Sequence, residues 1–189
     1  MFLVVHLINH LAGLASEEAH LGFMAVARMV YRHPLVEPLL LAAFALQGVS
    51  GLVLAWRGRR CRALTARLQM ASGAYLALFL LIHVGAILHG REILGLDTNL
   101  HFAAAGIQAG LGWLFLPYYG LAVLAAFTHF GSALEARARR RGPGMPWRLL
   151  LLSTLGGVLA LILGLLLAGR VYPLSIPDAY LQPWSPPAR

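Results

Sequence analysis

The sequence predicts an all-α integral membrane helical bundle of about five transmembrane helices, the first of them short. Three observations predict it. Hydrophobic residues make up 59% of the 189-residue chain and charged residues 12%, with a mean hydropathy of +0.73. A soluble domain of this size has too much surface for its volume to hide so much apolar area, whereas a bilayer removes that demand. The apolar residues are also gathered into long runs. Finally, the charge between the runs is one-sided: all fifteen basic residues are arginine, and ten lie in two short clusters.

Four runs match the length needed to cross a hydrocarbon core, about 20 residues. They are residues 39–56, 68–88, 111–130 and 149–167, and none contains Asp, Glu, Lys or Arg. A fifth run, residues 1–16, is uncharged but short. The N-terminus has no basic stretch before its apolar run, so no cleavable signal peptide is expected. Residues 1–170 are expected to form the bundle and residues 171–189 an extended, proline-rich tail near the interface, where Tyr172, Tyr180 and Trp184 are favoured.

Orientation follows from the arginines. One loop carries Arg57, Arg59, Arg60, Arg62 and Arg67 with no acid, and a second carries Arg137, Arg139, Arg140, Arg141 and Arg148 against Glu135. Such loops remain in the cytoplasm. The opposite side is balanced, with Glu17, Glu18 and Glu37 against Arg28 and Arg32, then Arg91 against Glu92 and Asp97. With the first run counted as a crossing, the N-terminus lies inside a cytoplasmic (inner) membrane and the C-terminus outside. On the outer side, residues 16–32 read as an amphipathic helix with Leu21, Met24, Val26 and Met29 broadly on one face. Residues 91–109 read as a second outer segment. The net charge of +8 does not indicate nucleic-acid binding, because no base-stacking or groove-reading motif accompanies it. The single cysteine, Cys61, excludes an internal disulfide or a thiolate metal cluster.

Eight histidines carry the chemistry. Ionisable side chains inside a span are costly and usually functional, and His6, His83 and His129 lie inside runs. His10 and His89 sit nearer the outer ends, and His20, His33 and His101 lie in outer segments. At about 1.5 Å per residue, His83 is about 24 Å from Arg67 while His129 is about 12 Å from Arg137, so their depths differ. Measured from the other face, His6 is about 16 Å from Glu17 and His83 about 12 Å from Arg91, which are compatible depths. Two imidazoles at one depth on facing helices are a standard way to hold haem iron from both sides, with small residues admitting the flat macrocycle. A histidine in a span also serves as a hydrogen-bonding packing residue. The spans carry no carboxylate for a metal-transport site.

At these residues the sequence resembles the membrane cytochrome b subunits of succinate:quinone oxidoreductases and quinol:fumarate reductases, in their five-helix, single-chain form. The run at 68–88 carries Leu68-Gln69-Met70-Ala71-Ser72-Gly73 and, ten residues on, His83-Val84. This is similar to the family's Gln-x-x-Ser/Thr-Gly pattern and its spacing to a haem ligand. Pro117 followed by His129-Phe130, and His6-Leu7 followed by Asn9-His10, resemble the family's fourth and first helices. The likeness covers residues 1–169.

The resemblance implies an outer haem b ligated by His6 and His83, with His10 in reserve one turn along, and Ser72 and Gly73 beside the cofactor. It implies His129 as one ligand of an inner haem. The second ligand of that inner site is absent: residues 39–56 contain no histidine, Gln47 stands near the expected place, and His33 is about 21 Å along the helix from Gln47. One haem is therefore expected, with His129 satisfied by Gln47, Ser50 or Ser132 instead. The implied role is electron transfer with the quinone pool, as the membrane subunit of an oxidoreductase rather than an enzyme in isolation. Flavoprotein and iron–sulfur subunits are the implied partners, and Glu17, Glu18 and Glu37 are candidates for proton exchange with a quinol. The competing expectation is a haem-free membrane anchor or interaction protein that keeps the fold.

Overall fold

The computed structural model describes residues 1–58, 60, 63–139 and 145–184. Cys61, Arg59 and Arg62 of the first arginine cluster, Arg140 and Arg141 of the second, and Pro186 and Pro187 of the tail lie outside the described residues. The described chain is helical and contains no strand. Its helices are α1 (Phe2–Ala12), α2 (Glu17–Tyr31), α3 (Val36–Gly58), α4 (Leu64–Glu92), α5 (Leu100–Gly106), α6 (Gly112–Arg139), α7 (Trp147–Leu167) and α8 (Asp178–Leu181).

Four stretches are long and apolar enough to cross a membrane: α3, α4, the run Leu100–Ala138 through α5 and α6, and α7. Large apolar side chains stand outward along them, among them Leu39, Leu46, Leu54, Leu81 and Leu161 at 64–75% exposure. Such a surface is compatible with lipid rather than water, so the chain is an all-α membrane protein. The short apolar α1 precedes these spans. Its 11 residues cover about 16 Å, roughly half of a hydrocarbon core.

Local signals explain most helix ends. Ser16 caps α2 by accepting from the Ala19 N–H at 3.1 Å, and Glu17 and Glu18 follow in the first turn, where the helix dipole favours acids. Asn99 caps α5 by accepting from the N–H groups of His101 and Phe102. Gly169, at φ +67, ends α7 in a left-handed turn closed by Arg170 N–H to the Leu165 carbonyl at 2.8 Å.

Two outer stretches carry more helix than the sequence spelled out. Residues 91–109, read as a second outer segment, are partly helical. α4 continues to Glu92 and α5 begins at Leu100, with Leu100, Ala104 and Ala105 essentially fully buried. A π-helical turn, Ile107–Leu111, joins α5 to α6, and Gly110 takes φ +94 there. The tail is not wholly extended either: α8 and a 3-10 turn, Gln182–Trp184, fold within it.

The chain forms two compact units. Unit one is Met1–Leu41, Val84–Pro117 and Ile162–Arg189; unit two is Ala42–His83 and Tyr118–Leu161. In unit one, α1 lies against α2 and α5 against α8. Its centre is Leu100, Leu166, His20 and Met24. Tyr172 donates to the Gly13 carbonyl at 2.6 Å and Asn99 donates to the Tyr180 hydroxyl at 3.1 Å, which fastens the tail. In unit two, α6 meets α7 where Phe127 covers Gly156 and where Gly131 faces Leu149 and Leu152. α6 meets α4 where His129 covers Gly73. α3 has no buried residue.

Candidate functional site

His83 lies on α4 in unit two. Phe79, one turn earlier, stacks on its imidazole at 5.0 Å between ring centroids and 14° between planes. Tyr119 from α6 stands edge-on to it at 6.3 Å and 89°. Two hydroxyls join the same helices reciprocally. Tyr75 donates to the Tyr118 carbonyl at 2.8 Å and Tyr118 donates to the Phe79 carbonyl at 3.3 Å. Each aromatic ring thus keeps its polar end satisfied inside an apolar segment. Phe79 was legible as a partner of His83 from its spacing; Tyr119 required the tertiary fold.

His129, on α6, is held by the Gln69-x-x-Ser72-Gly73 motif. Its Nδ1–H donates to the Gln69 carbonyl at 3.0 Å and meets Ser72 Oγ at 3.3 Å. The Ser72 hydroxyl sends its own proton to the Leu68 carbonyl at 2.7 Å, leaving the oxygen to accept. A Cβ on Gly73 would come within 2.9 Å of His129 Cε1, so only glycine lets the ring lie this close to α4. The expected partners of His129 are replaced. Ser50 donates back to the Leu46 and Gln47 carbonyls of its own helix. Gln47 is exposed on α3. Ser132 is fully buried and its Oγ has no hydrogen bond among the described residues. Ser72 and Gly73, expected beside the cofactor of His83, are brought to His129.

In unit one three imidazoles follow one another. His6 and His10, one turn apart on α1, meet edge-on at 4.7 Å between centroids, and His10 meets His20 of α2 at 5.5 Å. Phe2 stacks on His6 at 5.7 Å. His20 Nδ1–H donates to the Asn9 carbonyl at 2.9 Å, and Asn9 Nδ2 donates to His20 Nε2 at 3.3 Å. That pattern requires a neutral ring. Burial pushes the His20 pKa down, against an opposing pull from the Asn9 hydrogen bond.

The acids expected to serve a quinol have structural partners. Glu17 lies 2.8 Å from His101 Nε2 and Glu37 lies 2.6 Å from Arg91. Arg28 pairs with Asp97 at 2.6 Å, and Arg32 donates to Thr98 at 3.0 Å. Glu18 alone of the three is without a charged partner among these pairs; its own backbone N–H and the Ser16 side chain lower its pKa. The Val26 and Met29 side chains, expected to share a face with Met24, are 63% and 71% exposed while Met24 is buried.

Among the described residues no three His, Cys, Asp or Glu side chains gather as a bare metal ion would require. Haem makes a smaller demand, since the macrocycle supplies the equatorial nitrogens and the protein only the axial imidazoles. His6, with Phe2 stacked on it, belongs to unit one, and His83, with Phe79 stacked on it, belongs to unit two. Comparison with known proteins found no matching protein-family model, curated protein or solved structure.

Proposed function

We propose that this chain is a haem b-binding membrane protein that transfers electrons with the quinone pool, in the manner of the cytochrome b anchors it resembles. The observation that carries the reading is His83: an ionisable ring in an apolar span, set between Phe79 and Tyr119. His83 in unit two would be one haem-holding imidazole, and His6, with His10 as its alternative, is the imidazole that unit one offers. When bound, haem iron takes up and releases one electron. The protein's part is to supply neutral imidazoles, hold their planes and keep water from the iron.

One haem per chain is proposed. The ground is the second ligand: residues 39–56, the span expected to pair with His129, contain no histidine. Its membrane is the cytoplasmic one, with the two arginine loops inside and the C-terminus outside. An N-terminus inside requires α1 to cross, for which its 11 residues are few. Flavoprotein and iron–sulfur subunits are the proposed cytoplasmic partners.

The test is spectroscopic. Protein purified after haem-supplemented expression should give a low-spin bis-imidazole spectrum that quinol reduces, and a pyridine haemochrome value of one per chain. His83→Ala should abolish the spectrum and His129→Ala should leave it. Colourless wild-type protein would sink the reading in favour of a haem-free anchor, and two haems per chain would restore the inner site.

A further inference from the structure

The inner stripe of α6 changes character along its length. Ala122 and Ala125, both buried, are followed at helical spacing by His129, then by Ser132 and Glu135 at 0% and 2% exposure. The haem reading leaves all three of these polar groups unused. Each stands three residues from the next, about 4.5 Å along the axis, and Glu135 is about 6 Å from the end of α6 at Arg139.

Ser132 is the member that differs from its kind. Ser50 and Ser72 send their protons to carbonyls of their own helices, and Thr128 pairs with Ser153 of α7 at 3.1 Å. The Ser132 hydroxyl is wholly enclosed and makes no hydrogen bond among the described residues. A buried hydroxyl so placed costs about 1–3 kcal/mol, which alanine would not. A hydroxyl can accept a hydrogen bond while donating its own proton, and this one stands between an imidazole and a carboxyl group. His129 suits the far end: its Nδ1–H is committed to the Gln69 carbonyl at 3.0 Å, so Nε2 carries the lone pair. Glu135 suits the entry. It is enclosed, yet Arg148 of α7 lies 4.0 Å away with its side chain 38% exposed.

We propose that Glu135, Ser132 and His129 form a proton path from the arginine-rich end of α6 into the span. The Glu135 carboxyl gives its proton toward the Ser132 oxygen as the Ser132 hydroxyl gives its own toward His129 Nε2. The ring becomes an imidazolium, and water at the helix end reprotonates the carboxylate. One proton enters for each one stored, and no electron moves. Each transfer is made directly or through one water molecule, as an axial spacing of about 4.5 Å requires. The path needs His129 to hold no iron; it does not depend on haem at His83.

The experiment uses the full chain, nitrogen-labelled at histidine, in nanodiscs of neutral phospholipid, and reads imidazole proton exchange with water by NMR. The His129 signals are those lost in His129→Gln. In wild-type protein this ring should exchange with water. Ser132→Ala removes only the unpartnered oxygen, so the thermal midpoint should hold or rise. It should slow exchange at His129 about 100-fold, the low end for a positioned proton-transfer group. Glu135→Gln should slow it comparably, and His20 in unit one should keep its wild-type rate in both variants. A wild-type rate at His129 in Ser132→Ala overturns the proposal. So does a His129 ring that never exchanges in the wild type, or a slowing shared by His20. A second haem lost in His129→Ala would occupy Nε2 and overturn it as well. Colourless protein would sink the haem reading and leave the path standing.

Discussion

In unit one, Arg28 meets Asp97, Arg91 meets Glu37 and His101 meets Glu17, and side-chain hydrogen bonds from Asn99 and Tyr172 tie the tail to the ends of other helices. In unit two, Gly156 lies under Phe127, Gly131 against Leu149 and Gly73 under His129. The ion pair of Arg148 with Glu135 there is long at 4.0 Å. The contrast has a physical cause. Charged pairs lose less where water is near, while helices side by side in hydrocarbon gain nothing from apolar burial and must gain from close approach and from internally satisfied polar groups. A substitution that adds carbon should injure unit two where the new atom meets the stiff base of a neighbour, as at Gly156, and less at Gly90 or Gly106 of unit one, where it meets the far end of a phenylalanine ring; one that removes a polar atom should injure unit one most.

The largest effect is expected from Gly156→Val. A Cβ at Gly156 would meet the Phe127 Cβ at 2.6 Å, the stiff base of that side chain. Overpacking of this kind costs about 3 kcal/mol, read as a lowered thermal midpoint in detergent. Gly157→Ala is the control, since nothing lies within 4 Å of its added carbon. Equal losses at the two positions would erase the contrast.

A middle effect is expected from Asn99→Ala. It removes the cap of α5 and the bond to Tyr180, a loss of about 1–2 kcal/mol. Hydrogen exchange should rise at the start of α5 and in α8 and stay unchanged in unit two. Faster exchange throughout the chain would show that the two units unfold together.

The smallest effect is a pH dependence. Burial lowers the folded pKa of His20 below its ordinary 6.5, so the unfolded chain binds more protons there. Stability from the neutral ring is complete above about pH 6.5 and is lost as pH falls below it toward the folded pKa. Wild-type protein should lose more of its thermal midpoint between about pH 8 and about pH 5 than His20→Gln does. Identical profiles would show that His20 is not the group responsible.

The spans were legible because length and hydropathy alone decide what lipid accepts. Residues 39–56, 68–88 and 149–167 fall inside α3, α4 and α7, and the helix read over residues 16–32 begins within a residue of α2. The helix within segment 91–109 was not legible. The stretch read only as an outer segment, and Leu100, Ala104 and Ala105, essentially fully buried in α5, form no apolar run long enough to mark it. The roles of Gln47 and His129 were misassigned to each other for a related reason. α3 is apolar almost all round, and so its sequence has no phase to tell an inward face from an outward one.

What the sequence determined by itself is the solvent of each segment: which stretches can lie in hydrocarbon, which loops stay with water, and that the four long runs carry no Asp, Glu, Lys or Arg. Those follow from transfer free energies, which add residue by residue along the chain. The tertiary structure decided the pairings. It gave His129 to Gln69 and Ser72, His20 to Asn9, and His83 to Phe79 and Tyr119, and it turned Gln47 outward. Lipid and helix core are equally apolar, so rotation of a span about its axis changes little in transfer energy. Close contacts and hydrogen bonds between particular helices settle it instead.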